Sequence, residues 1–183
     1  MKIEYSLSKE DFLTHNLFAA SKSKIIAKRR FSNRLIPALA YLCFGMFVYF
    51  IQGRQNIGYL TAFTGISFIW FFFSTFYQRW IYKKYYSKFI DTNYKDRIGE
   101  LSKIGIEEDM LKIENSSNSG NLNLNEVVSI EEISTHAFLN LKSKVSIILP
   151  KKMAGAENIA KFIEEIENKR GIKTIKNLEW RWK

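Results

Sequence analysis

Two stretches of the chain are almost wholly apolar. Leu35 to Ile51 reads LIPALAYLCFGMFVYFI, 17 residues without a charge, and Ile57 to Tyr77 reads IGYLTAFTGISFIWFFFSTFY, 21 residues without one. As helices they are roughly 26 and 32 Å long, close to the ~30 Å of a hydrocarbon core. Nine of the 15 Phe lie in them, and neither has a polar face to turn to water. The pattern predicts two transmembrane helices, over 35–51 and 57–77. Only residues 52–56 join them, which predicts antiparallel neighbours and a turn at the far membrane surface, where its polar backbone stays solvated.

Outside the spans the period changes. Ile3, Tyr5 and Leu7 alternate as one face of a strand. Ser8-Lys9-Glu10-Asp11 matches a capping box, with the Ser8 hydroxyl capping the third helical amide. A helix should then run from about Lys9 towards Arg30, showing Phe12, Leu17, Phe18, Ile25 and Ile26. Residues 1–34 thus read as a cytoplasmic strand and an amphipathic basic helix, lying along the membrane surface or packed on a cytoplasmic domain. The second span should continue as helix to about Ile90, making 78–100 a basic, aromatic interfacial helix and linker.

From Leu101 the period is two. Strands are expected at 102–106 and 110–114 around a Glu107–Asp109 turn, followed by a polar loop over 115–121. The β signal resumes through Leu122, Leu124, Val127, Val128, Ile130 and Ile133. Strands at 138–141 and 145–149 flank a turn at 142–144, and Pro150 ends the last. Ile159, Phe162, Ile163 and Ile166 then mark one face of a helix over 156–169, with Gly171 placed to terminate it. Residues 101–171 therefore predict a small β-rich domain closed by a helix that buries its stripe on the sheet. In the tail, 172–183, Trp180 and Trp182 share one face if extended, suited to a membrane interface, a sheet edge or a partner unless the tail stays unordered.

Averages hide this division. The 183 residues carry 28 Lys+Arg against 18 Asp+Glu, a net charge of +10, and the mean hydropathy is −0.17, figures that suit a basic soluble protein binding nucleic acid. Yet residues 1–34 hold a net +5, the turn +1, residues 79–104 +4, and residues 105–183 balance twelve basic against twelve acidic groups. With no net positive charge on the β-rich domain, nucleic acid is not an expected partner. The cations instead flank the spans: ten Lys and Arg border them on one side, and Arg54 alone lies in the turn. That bias places both termini in the cytoplasm. The flanks should attract anionic lipids.

Candidate interface residues follow from the mixture of rings and cations beside the spans. They are Lys28, Arg29, Arg30 and Arg34 before the first, and Arg79, Trp80, Lys83, Lys84, Tyr85 and Tyr86 after the second. Gly58, Thr61, Ala62 and Gly65 have the small-residue spacing that lets helices approach, within the hairpin or against another subunit or membrane protein. In the first helix Ala38, Tyr41 and Gly45 share a face. No ionisable group except Cys43 and tyrosines lies within either span, which disfavours a proton relay or ion path. Cys43 belongs in lipid or at the helix interface, with no redox role. His15 and His136 stand in different segments and read as surface or packing residues. No nucleophile elbow, zinc-protease signature or phosphate loop is present. Asn115-Ser116-Ser117 matches a glycosylation sequon that a cytoplasmic domain would not expose to the machinery. The sequence therefore predicts no catalytic residue, no metal ligand and no cofactor, and a non-enzymatic protein.

Several segments resemble one family. Ile3 to Phe12 (IEYSLSKEDF), Lys83-Lys84-Tyr85-Tyr86 and Val145 to Lys152 (VSIILPKK), arranged about a two-span hairpin, resemble the YcxB-like family of bacterial membrane proteins. The likeness covers nearly the whole chain. It implies a multi-pass protein of the bacterial cytoplasmic (inner) membrane, and a C-terminal domain similar to pleckstrin-homology-like folds. Such family members commonly carry an aromatic near the strand that here runs Leu122 to Val128, where this chain has Leu124. The fold class expected is α+β, a transmembrane hairpin plus a β-rich cytoplasmic domain. The function expected is a membrane-anchored module that presents that domain to a protein or lipid partner, with homo-oligomers conceivable. The alternatives are an immunity protein against a membrane-acting bacterial toxin and an accessory subunit of a larger membrane complex.

Overall fold

Ile3 and Tyr5 are buried while their neighbours Lys2 and Glu4 are exposed, and this alternation builds strand β1 (Lys2–Ser6). Its partner is β2 (Leu101–Glu107), nearly a hundred residues later, with Ile3 opposite Ile104 and Tyr5 opposite Ser102. The computed structural model, which describes residues 2–52, 57–115 and 119–182, divides the chain into two compact units. One comprises residues up to Asn16 and Ser87–Arg181, and the other Leu17–Tyr86 with Trp182.

The first unit holds two sheets, antiparallel except for one short strand. Strands β1, β2, β3 (Met110–Asn115) and β4 (Ser119–Asn123) lie side by side in chain order. The other sheet pairs β5 (Val127–Glu132), β6 (His136–Leu141) and β7 (Ser146–Pro150), with the two-residue β8 (Ile175–Lys176) parallel to β5. The sequence reading confined this domain to 101–171, but the pairing of β1 brings in residues counted with the N-terminal arm. Alternation alone does not reveal that partner, because a strand's partner is set by long-range burial.

Other differences are local. The β signal from Leu122 to Ile133 is two strands in separate sheets. Asn123 accepts a hydrogen bond from the Asn125 amide at 2.8 Å and starts a 3-10 turn over Leu124–Glu126. A bulge between Val127 and Ser129 then turns Val128 outward. Ser119–Asn121, expected in a loop, extend as an exposed edge strand on β3. Residues 53–56 and 116–118, which hold most of the expected 52–56 turn and the middle of that loop, lie outside the described residues.

Helix α5 (Ala156–Arg170), preceded by the short α4 (Lys151–Ala154), closes the core. Its Ile159, Phe162, Ile163 and Ile166 join Ile104, Leu111, Ile130, Leu139 and Leu149 in one cluster. Gly171 ends α5 at φ 64°, in the left-handed region where a Cβ is unfavourable, and its N–H donates to the Glu167 carbonyl.

The expected helix from Lys9 to Arg30 is two helices. Helix α1 (Lys9–Lys22) starts on the capping box: Ser8 Oγ accepts from the Asp11 amide, and the Asp11 carboxylate accepts from the Ser8 N–H at 2.7 Å. Ser23 then leaves the helical conformation at ψ 113°, and its hydroxyl accepts from the Ile26 amide as the cap of a new helix. That helix, α2 (Lys24–Ile51), runs without a break into the first apolar stretch, and α3 (Ile57–Asn93) continues from the second. Both are long and apolar enough to cross a membrane, and only 11% of each most apolar window is buried within the protein.

Candidate functional site: a cleft in the helical unit

Polar side chains buried in an apolar hairpin need partners, because an unpaired buried polar group is costly. Three such residues of α3 face α2. Ser67 Oγ donates to the Ala38 carbonyl at 2.8 Å, and Gln78 Nε2 donates to the Arg30 carbonyl at 3.1 Å. Ser74, only 1% exposed, returns its hydroxyl to Phe71. Their spacing of seven and four residues keeps them on one helix face. Opposite them Ala38 and Gly45 are buried. A Cβ on Gly45 would stand 2.7 Å from Phe63 Cβ, so the helices meet there only because glycine has none.

Where α2 changes from basic to apolar, the two helices leave a cleft of about 700 Å³. From α2 it is lined by Ile26, Arg29, Ser32, Asn33, Ile36 and Pro37, and from α3 by Trp70, Ser74, Tyr77, Gln78, Ile81, Tyr82, Tyr85 and Tyr86. Pro37 has no N–H, so the Asn33 carbonyl lacks the donor that an unbroken helix supplies. Two side-chain atoms on the cleft residues are buried and unpaired among the described residues: Trp70 Nε1, a donor, and Gln78 Oε1, an acceptor. Among the described residues that line it, Arg29 is the single cation and none is a carboxylate.

The sequence-predicted interface residues divide around this cleft. Arg29, Tyr85 and Tyr86 line it. Arg30 stands 4.7 Å from the Trp182 ring centroid and 6.0 Å from that of Tyr82, and the two rings meet edge-on at 5.8 Å. The tail thus divides: β8 adds to a sheet edge, and Trp182 joins this aromatic cluster. Arg34 and Arg79 lie over Phe71 and Phe76, and Lys84 lies over Trp80 at 4.9 Å. Lys28 and Lys83 are exposed.

The expected packing stripe is misplaced as a hairpin contact. Gly58, Thr61, Ala62 and Gly65 are all exposed, and nothing lies within 4 Å of a Cβ built on Gly65. Small size permits close approach, but satisfaction of Ser67 and Gln78 selects the opposite side of α3. Trp70, Ser74 and Gln78 were missed, although hydroxyl and amide groups recurring on one face of an otherwise apolar helix were a readable signal.

In the β unit, His15 and His136, distant in sequence, meet around Phe138. Their rings lie 5.2 and 5.9 Å from that of Phe138, the second stacked at 8°. His136 Nε2 is 2.8 Å from Asp11 Oδ1, and Nδ1 is 2.7 Å from Thr135 Oγ1. Burial acts to raise the Asp11 pKa, but hydrogen bonds from His136 and Ser8 prevail and hold it below the usual carboxylate value. Burial, with a smaller effect of the nearby His136, pushes His15 down to about 4. The pair ties α1 to β6. Compared with known protein families, with curated proteins and with solved structures, the chain matches none.

Proposed function

We propose that this chain is a two-span protein of the bacterial cytoplasmic membrane, YcxB-like, that holds a pleckstrin-homology-like domain at the cytoplasmic face as a non-enzymatic interaction module. The observation that carries the membrane assignment is the inverted packing of the hairpin. Phe44, Phe47, Phe50, Phe68, Phe72, Phe73 and Phe76 point outward, while Ser67, Ser74 and Gln78 point inward. Water would penalise that arrangement and hydrocarbon favours it.

The topology draws on two independent features. The basic flanks favour cytoplasmic ends. The β1–β2 pairing supports two crossings in particular, since these strands flank the hairpin in sequence and an even number of crossings returns the chain to the side it left. The domain assignment is supported by seven strands paired antiparallel in two sheets and closed by α5. A reporter inserted at Gln55 should read periplasmic and one after Lys183 cytoplasmic; the opposite pattern would reject the orientation. Photo-crosslinking from Lys142 and Lys152 in native membranes should trap a protein or lipid. Recovery of the chain alone would reject the interaction role.

A further inference from the structure

We infer that the cleft between α2 and α3 is a binding site for one anionic, hydroxyl-bearing phospholipid of the phosphatidylglycerol class. This inference rests on the membrane reading above and adds a specific ligand to it. The cleft residues on α2 extend from Ile26 to Pro37, about 16 Å of helix. That length runs from the basic collar into the first uncharged turns, the depth range of a phospholipid's headgroup and ester groups.

The lining states which groups fit. Arg29 supplies a positive charge without a competing carboxylate, which selects a phosphate and disfavours a free cation. Gln78, 7% exposed, has an amide nitrogen that donates to the Arg30 carbonyl, and its buried, unpaired oxygen requires a donor. A glycerol headgroup hydroxyl is such a donor and adds no charge; an ethanolamine headgroup donates but brings a second cation beside Arg29, and a choline headgroup has no donor. Trp70 Nε1 requires an acceptor, which an ester carbonyl supplies deeper along the same lipid. Leaving both atoms unpaired in a low-dielectric site is costly, and one ligand satisfies both.

The test is native mass spectrometry of the full chain released from nanodiscs of phosphatidylcholine containing phosphatidylglycerol or phosphatidylethanolamine. The chain should retain one phosphatidylglycerol in preference to phosphatidylcholine by roughly tenfold, the scale of a single buried charge-assisted hydrogen bond. Gln78→Leu and Trp70→Phe should remove the preference, and Gly65→Leu, away from the cleft, should keep it. Arg29 is exposed, so Arg29→Gln leaves the fold intact and should reduce the preference even if a cleft variant misfolds. Retention of phosphatidylethanolamine or phosphatidylcholine equal to that of phosphatidylglycerol, or preservation of the preference in Arg29→Gln, would overturn the site. Displacement by soluble glycerol phosphate would identify a free phosphate ester as the occupant and overturn the lipid assignment. Alkaline extraction separates the two readings: a chain washed from membranes refutes the membrane role itself, whereas a retained chain without lipid preference refutes only this site.

Discussion

The β unit and the helical hairpin bury opposite kinds of residue. In the β unit, branched aliphatics and Phe162 point inward, and Lys2, Lys103 and Lys112 reach outward to pair with acidic groups. In the hairpin the rings point outward, and glycine, alanine, serine and glutamine meet at the centre. The same chemistry produces both results. On the proposed membrane reading, apolar surface is placed where water is absent and polar atoms where partners exist, and only the surrounding solvent differs.

The largest effect should come from truncating a ring in the β core. Phe162 is fully buried, so Phe162→Ala should cost about 3–5 kcal/mol and abolish the cooperative melt of the β signal in circular dichroism. Phe72→Ala removes the same atoms from an outward face, at 65% exposure, and should leave that melt unchanged. Equal effects would erase the contrast between the units.

Within the hairpin, Gly45→Leu forces side-chain atoms into Phe63 and should cost about 1–3 kcal/mol, read as earlier loss of helical signal in detergent. Gly65→Leu, which meets only open space, should not change it. These paired substitutions distinguish the observed packing face from the one suggested by small-residue spacing.

The β unit should also be acid-sensitive. The folded value of His15 is about 4 against an ordinary 6.5, so between these values the unfolded chain binds a proton that the folded chain refuses. Stability therefore falls as pH drops from 6.5 to 4, and His15→Leu should flatten that slope by an amount on the order of 1–2 kcal/mol in thermal melts. Asp11, held low, contributes stability above the ordinary carboxylate pKa, which is lost as pH falls through its folded value. This lower limb should persist in the His15 variant. The smallest effect is at the end of α5: Gly171→Ala forces a Cβ into φ 64° and should lower stability by about 1 kcal/mol in the same melts.

Much of the fold was legible in the sequence because local rules decided it. The Ser8 capping box, the inward stripe of α5, Gly171 and the length of the apolar stretches each follow from chemistry within a few residues. The misreadings required distant partners. Nothing near Ile3 announces β2, nothing near His15 announces Phe138, and only a view of both helices reveals that Gln78 holds the Arg30 carbonyl. The basic collar was visible as a linear charge pattern. The cleft was not, since it depends on Trp70, Pro37 and Arg29 meeting across two helices. Ser23 is an intermediate case: its capping chemistry is local, but the apolar residues Ile25 and Ile26 on its far side gave the appearance of one continuous helix.

The central claim, that hydrocarbon surrounds the hairpin, has a direct probe in Cys43, a lone thiol exposed on the outer surface of α2. In sealed native membrane vesicles, a water-soluble maleimide should leave Cys43 unlabelled, because hydrocarbon excludes the reagent. A cysteine introduced at exposed Lys152 should label readily in inside-out vesicles, and Cys43 should label after the membrane is dissolved in denaturing detergent. Rapid labelling of Cys43 in intact vesicles would place α2 in water and contradict the account.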